Sequence, residues 1–352
     1  HSWVEHLARR FGKILKETGA DGVRLDVLAR NNSCFNPNHK HYDGTFRSSM
    51  AIDKLAEAIS IFQDRIYEAN PNAVVTVEHA GTDFLMQYVD GWFSENIIAF
   101  DDSGRWGPYR LLNAYQMVFS RFTFPESKVW MHSVGFPRES AMMSLFNAVG
   151  FCVTRAEGQY SSRTLEENAD LINACVDPVP YIPTLHQDIF ANYFPAPGQE
   201  KVLYGVYNRS DKMVKAEVLE VEDAPGYHYM ELWADKDVPM RKVDGKVRLT
   251  AEIEGDTAGN IVRLPELLKA EIQPDGMLHV TVGDKEPKYD ALELKIAYDE
   301  DKFDEEVIVC QPYNGEVLLP LRNDYHKLII KLVDGIYLRD QVVINKANAG
   351  EG

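Results

Sequence analysis

The sequence is poor in cysteine, in basic charge and in long apolar runs. Its four cysteines, Cys34, Cys152, Cys175 and Cys310, lie far apart. Scattered thiols of this kind build neither a zinc site nor a disulfide framework, and they leave the redox compartment open. Lysine and arginine number 37 against 54 aspartates and glutamates, a net charge of −17. A surface that acidic repels phosphate backbones, so nucleic acid is excluded as the expected partner. No apolar run approaches the roughly 20 residues needed to cross a bilayer, so no membrane span is expected. There is no internal repeat and no low-complexity tract. The chain starts at His1 rather than Met, so its beginning is silent about leader segments.

What is present is a globular composition, 45% hydrophobic and 26% charged, which excludes a disordered chain. At 352 residues it exceeds what a single core supports, so two or three domains are expected. The first half alternates helix and strand. Ser2 and Glu5 read as a capping box ahead of Trp3, Val4, Leu7, Phe11, Ile14 and Leu15, with Gly19 past the last turn. Strands are predicted near 22–28, 73–78, 92–94, 128–132 and 151–154, and helices near 46–69, 82–90, 108–120, 137–150 and 165–175. Thr164 and Glu167 read as the capping box of the last helix. Five strand–helix units in a row imply a parallel α/β sheet.

After the proline-rich stretch Pro178–Pro197 the pattern becomes short alternating strands. One set includes Tyr204–Asn208, Val214–Val221, Tyr227–Trp233 and Lys246–Ile253. A second runs from Met277 to Ile344. Asp244-Gly245, Asn314-Gly315 and Asp334-Gly335 are hairpin turns. The expected division is a catalytic domain over 1–198 and two small antiparallel β-sandwiches over 199–270 and 271–352.

The most informative segment is Gly22-Val23-Arg24-Leu25-Asp26. A parallel strand covered on both faces should be apolar throughout. Here Val23 and Leu25 obey on one face, while Arg24 and Asp26 share the other. An arginine beside an aspartate keeps the carboxylate ionised, as a covalent nucleophile requires. The alternative is an ion pair that only fixes a loop. The next predicted strand repeats the arrangement: Val75 and Val77 on one face, Val74, Thr76 and Glu78 on the other. Two neighbouring strands would then present Asp26 and Glu78 at the same end. Paired carboxylates at one strand spacing suit glycoside cleavage, one as nucleophile and one as acid/base.

These residues resemble a family. Gly22-Val23-Arg24-Leu25-Asp26 is similar to the fourth-strand motif of the α-amylase clan of glycoside hydrolases, where the Asp is the nucleophile and the Arg its partner. Glu78 then matches the acid/base at the end of the fifth strand. The resemblance implies that the first half is strands four to eight of a (β/α)8 barrel. It also implies a carbohydrate substrate with an α-linked O-glycosidic bond, no cofactor, no metal, and an N-terminal segment or chain that completes the barrel. The substrate class favours an extracellular or periplasmic setting.

Three departures stand beside it. The seventh-strand His-Asp pair of the clan is replaced by His132-Ser133, strands one to three have no counterpart, and the stretch from Glu78 to Asn96 is also similar to the α-galactosidase clan. There Trp92-Phe93-Ser94-Glu95 would make Glu95 a rival acid. His41, with His39 and Asp43, has a metal-like spacing, but its Asn- and Pro-rich loop suits contact with sugar hydroxyls better. Together with Arg24, His79, Glu95 and His132 it completes the expected substrate-binding set. Trp92, Trp106 and Trp130 are candidates for stacking on sugar rings. Asn31-Asn32-Ser33 and Asn208-Arg209-Ser210 fit glycosylation acceptors.

Overall fold

The computed structural model describes residues 2–26, 33–34, 38, 48–49, 52–78, 83–94, 121–133, 137–153, 159–196, 200–283, 292–299, 306–310, 315–322 and 325–346. Two compact units divide the chain. The first holds residues 1–135 with 149–154, the second 136–148 with 155–352. The helical segments 137–146 and 159–174 therefore group with the C-terminal strands.

In the first unit the elements are α1 (Ser2–Thr18), β1 (Gly22–Leu25), β2 (Ser33–Cys34), β3 (Ser48–Ser49), α2 (Ile52–Ala69), β4 (Val74–Glu78), α3 (Asp83–Met86), β5 (Gly91–Ser94), β6 (Lys128–Ser133) and β7 (Gly150–Val153). The sheet has the order β1-β4-β5-β6-β7, and every neighbour is parallel. The order follows the chain and never reverses. Right-handed crossovers then lay successive helices on one and the same face. The core agrees: Ala8 and Leu15 of α1, Ile59, Phe62 and Ile66 of α2, and Leu85 of α3 bury against Val23, Leu25, Val75, Val77, Trp92 and Val129.

Several local expectations change. Glu5 of α1 reaches the neighbouring helix: its Oε1 accepts from Arg65 of α2 at 2.7 Å and from Arg9 at 3.0 Å. Arg65 first and Arg9 second hold the Glu5 carboxyl below its ordinary value. Trp3 and Ile14 are exposed rather than buried. The helix expected from residue 46 starts at Ile52, because Ser48–Ser49 pair with Ser33–Cys34 as an antiparallel ribbon. The helix expected over 82–90 stops at Met86. Asp90 then turns back to the sheet, its carboxylate accepting from the Val75 amide at 2.6 Å and the Tyr67 hydroxyl at 2.8 Å. Burial and Asp90 push the Tyr67 phenol up to about 12. The helix predicted near 108–120 lies outside the described residues.

The second unit is antiparallel. A sheet ordered Lys236–Asp237, Tyr227–Glu231, Thr257–Pro265, Val202–Asn208, Ile189–Pro195 shares a core with a sheet ordered Val214–Glu222, Lys246–Ile253, Met240–Val243. A second core joins Leu268–Ile272, Met277–Val282 and Glu316–Pro320 to the sheet containing Leu292–Tyr298 and Lys327–Asp334. The strand Ile189–Pro195 lies inside the proline-rich stretch Pro178–Pro197, to which the sequence pattern assigns no strand. Its prolines flank the apolar run Ile-Phe-Ala-Asn-Tyr-Phe instead of interrupting it. At Asp244-Gly245 both φ angles are positive, 50° and 81°, as a two-residue hairpin turn demands.

Residues 159–174 form two helices, Gln159–Glu167 and Ala169–Ala174, rather than one capped at Thr164. Glu167 is not a cap. Both of its oxygens accept from Lys331 Nζ at 2.8 Å. Asp170 completes the cluster, bound by Lys201 Nζ and Arg339 Nη1 at 2.9 Å each. These side chains are all buried. Burial pulls Lys201 down to about 8 even with Asp170 beside it.

Asp340, also buried, ties three segments together. Its Oδ2 accepts from the Leu267 amide at 2.7 Å and the Leu268 amide at 2.5 Å, and Oδ1 lies 2.7 Å from His228 Nε2. Burial of the His228 ring opposes its charge, but Asp237 and Asp340 outweigh it and push the imidazole up to about 9. The folded value lies above the ordinary one of 6.5. The stabilisation is therefore complete below pH 6.5 and is lost as pH rises through 9, a loss of about 3 kcal/mol. Urea unfolding of wild type and His228→Phe at pH 6 and pH 10 should show this as a shrinking difference. A difference that does not change with pH would exclude the His228–Asp340 linkage. Lys201 titrates equally in both proteins and cancels.

Candidate active site

The face of the parallel sheet opposite its helices carries the chemistry. Paired residues in a parallel sheet share a face, so the register defines rows across it. Arg24 is level with Thr76 and Gly91, and Leu25 with Val77 and Trp92. One step further along lie Asp26, Glu78, Phe93, Trp130 and Gly150, with Glu78 paired to Phe93, Phe93 to Trp130 and Trp130 to Gly150. Asp26 follows the last paired residue of β1 and Glu78 the last but one row of β4, so the two carboxylates stand at the same level on adjacent strands.

Arg24 Nη2 donates to Asp26 Oδ1 at 3.4 Å, with the two side chains 44% and 70% exposed. The Arg24 guanidinium also lies 4.3 Å from the centre of the Phe93 ring. Glu78 is buried, at 1% exposure. The two carboxyl groups thus occupy different environments, one open and paired to a cation, the other enclosed.

The row ends in an aromatic floor. A Cβ on Gly91 would come within 2.7 Å of Trp130 Cζ3, and one on Gly150 within 2.3 Å of Trp130 Cδ1. The indole of β6 therefore lies across both neighbouring strands, in space that only two glycines leave free. Trp130 is half-buried there. Trp92 takes the other side. It is 6% exposed within the helix-facing core, which removes it as a sugar-stacking candidate. Phe93, the next residue, is the aromatic that faces the carboxylates. The alternation in Gly91-Trp92-Phe93-Ser94 was the available signal, but it does not say which of two adjacent aromatics faces the core.

Of the expected site residues, the structure brings together Arg24 and Asp26 and places Glu78 level with Asp26. His132 lies in β6, one residue before its end. His41, His79 and Glu95 lie outside the described residues, as do His39, Asp43 and Trp106. Among the described residues no group of three or more His, Cys, Asp or Glu side chains is placed to hold a metal ion. The Asn208 sequon is not an acceptor in the folded chain. The Asn208 amide is buried and donates to the carbonyls of Lys212, Ile253 and Glu254 at 2.7, 3.0 and 3.1 Å. Asn31 and Asn32 lie outside the described residues.

No family model matches the chain, and no curated protein does. Among solved structures it is similar to a variant of trehalose-6-phosphate hydrolase from Bacillus licheniformis, with 11% identity and a TM-score of 0.47 over 75% of this chain and 69% of that one. It is similar to an alpha-amylase from Geobacillus thermoleovorans, with 11% identity and a TM-score of 0.43 over 74% and 63%. A GH30 endoxylanase from Clostridium papyrosolvens overlaps with 10% identity and a TM-score of 0.38 over 73% and 69%. The functional reading is carried by the site residues.

Proposed function

We propose that this chain is a retaining glycoside hydrolase that cleaves an α-linked O-glycosidic bond in an oligo- or polysaccharide. The observation that carries this reading is the Arg24–Asp26 contact at the C-terminal end of a parallel strand, level with Glu78 on the next strand. Asp26 attacks the anomeric carbon and the bond to the leaving oxygen breaks, while Glu78 donates the proton that oxygen takes. In the second step Glu78 removes a proton from water, the water oxygen bonds the anomeric carbon, and the Asp26 carboxylate leaves. Arg24 orients Asp26 throughout. His41, His79, Glu95 and His132 are the proposed contacts to sugar hydroxyls, and neither metal nor cofactor has a step.

In this reading the parallel sheet is strands four to eight of a (β/α)8 barrel, and residues 199–270 and 271–352 are two β-sandwiches. The supporting observation is a chain-ordered sheet with its helices on one face, since active sites of such barrels lie at the C-terminal strand ends. Among the described strands β1 pairs with β4 alone. A preceding segment or second chain would supply its other neighbour. That same edge favours the alternative, a non-catalytic carbohydrate-binding remnant or one half of a split enzyme. Incubation with 5-fluoroglycosyl fluorides of the α-gluco and α-galacto series, followed by peptide mass spectrometry, separates the two. The expected result is a sugar on the peptide containing Asp26; a sugar on another carboxylate would reassign the nucleophile.

A further inference from the structure

We infer that Phe93 is a positioning residue for the proposed nucleophile, acting through Arg24. This deepens the reading of Asp26 as nucleophile and rests on it. The Arg24 guanidinium touches Asp26 at 3.4 Å and lies 4.3 Å from the Phe93 ring centre. Asp26 follows β1 and Phe93 belongs to β5, with β4 between them. A cation in contact with both therefore reaches across the strand that carries Glu78. Gly91, level with Arg24 on β5, puts no side chain in the way.

Without the ring, Arg24 has a long, rotamer-rich side chain that is 44% exposed and free to swing into water. The negative face of an aromatic ring attracts a guanidinium and also restricts its plane. Phe93 thus holds the fork where it meets the Asp26 carboxylate, and it does so without competing for the carboxylate as a hydrogen-bonding residue would. Leucine at 93 keeps the apolar volume and removes the quadrupole. Tyrosine keeps both.

The test compares wild type, Phe93→Leu, Phe93→Tyr and Asp26→Asn with 4-nitrophenyl α-D-glucopyranoside and α-D-galactopyranoside. Phe93→Leu should lower kcat about tenfold with KM little changed. Phe93→Tyr should restore kcat. The Arg24 side-chain Nε–H resonance, assigned through Arg24→Lys, should lose its ring-current shift in Phe93→Leu and keep it in Phe93→Tyr. A Phe93→Leu protein with unaltered kcat and resonance overturns the inference while Asp26→Asn still abolishes turnover. Full turnover in Asp26→Asn would instead remove the nucleophile assignment itself.

Discussion

Asp26→Asn should lower turnover of a 4-nitrophenyl α-glycoside by at least about a thousandfold, with the urea midpoint unchanged. The amide is isosteric with the carboxylate but cannot form the glycosyl ester. Its cost to folding is small because Asp26 is 70% exposed and its contact with Arg24 is long, at 3.4 Å; exposed ion pairs contribute little. Glu78→Gln should behave differently. A 4-nitrophenolate leaving group needs little protonation, so glycosylation persists and deglycosylation slows; added azide should then restore turnover by replacing activated water. Glu78→Gln with full activity, combined with an inactive Glu95→Gln, would transfer the acid/base role to Glu95.

The second large effect is on stability. Lys331→Met should cost about 3–5 kcal/mol, because it leaves the Glu167 carboxylate buried without the cation that holds both its oxygens. Arg163 lies 3.7 Å from Glu167 Oε1, at the margin of an ion pair, and cannot replace two bonds of 2.8 Å. Glu167→Leu combined with Lys331→Met should recover most of the loss, since the pair removed together leaves no uncompensated charge. Urea denaturation of the three proteins measures this. A Lys331→Met protein as stable as wild type would mean that water or Arg163 already carries the charge.

The cluster containing Glu167 also shows where reading the sequence stops. Thr164 and Glu167 have the spacing of a helix cap, and Asn208-Arg209-Ser210 that of a glycosylation acceptor. Both patterns are local and complete. The partners that override them, Lys331 and the carbonyls of Ile253 and Glu254, lie 164, 45 and 46 residues away. Glu5 likewise gains a distant partner that its spacing does not announce, Arg65, 60 residues away. The strand Ile189–Pro195 was hidden by flanking prolines that turn out to mark its boundaries.

What the sequence determined by itself is the parallel sheet of the first unit, the antiparallel character of the second, and the face on which Arg24, Asp26 and Glu78 stand. Those follow from period-2 alternation, from strand–helix rhythm and from Asp-Gly turns, all of which act within a few residues. Only the tertiary structure decided that Arg24 meets the ring of Phe93, that Trp130 lies against Gly91 and Gly150 while Trp92 enters the core, and that Glu167, Asp170, Lys201, Lys331 and Arg339 bury their charges together. The physical reason is that a charge or a ring out of water is settled by whichever partner the register brings within a few ångströms, and that partner is set by strand order and packing rather than by neighbours in the chain.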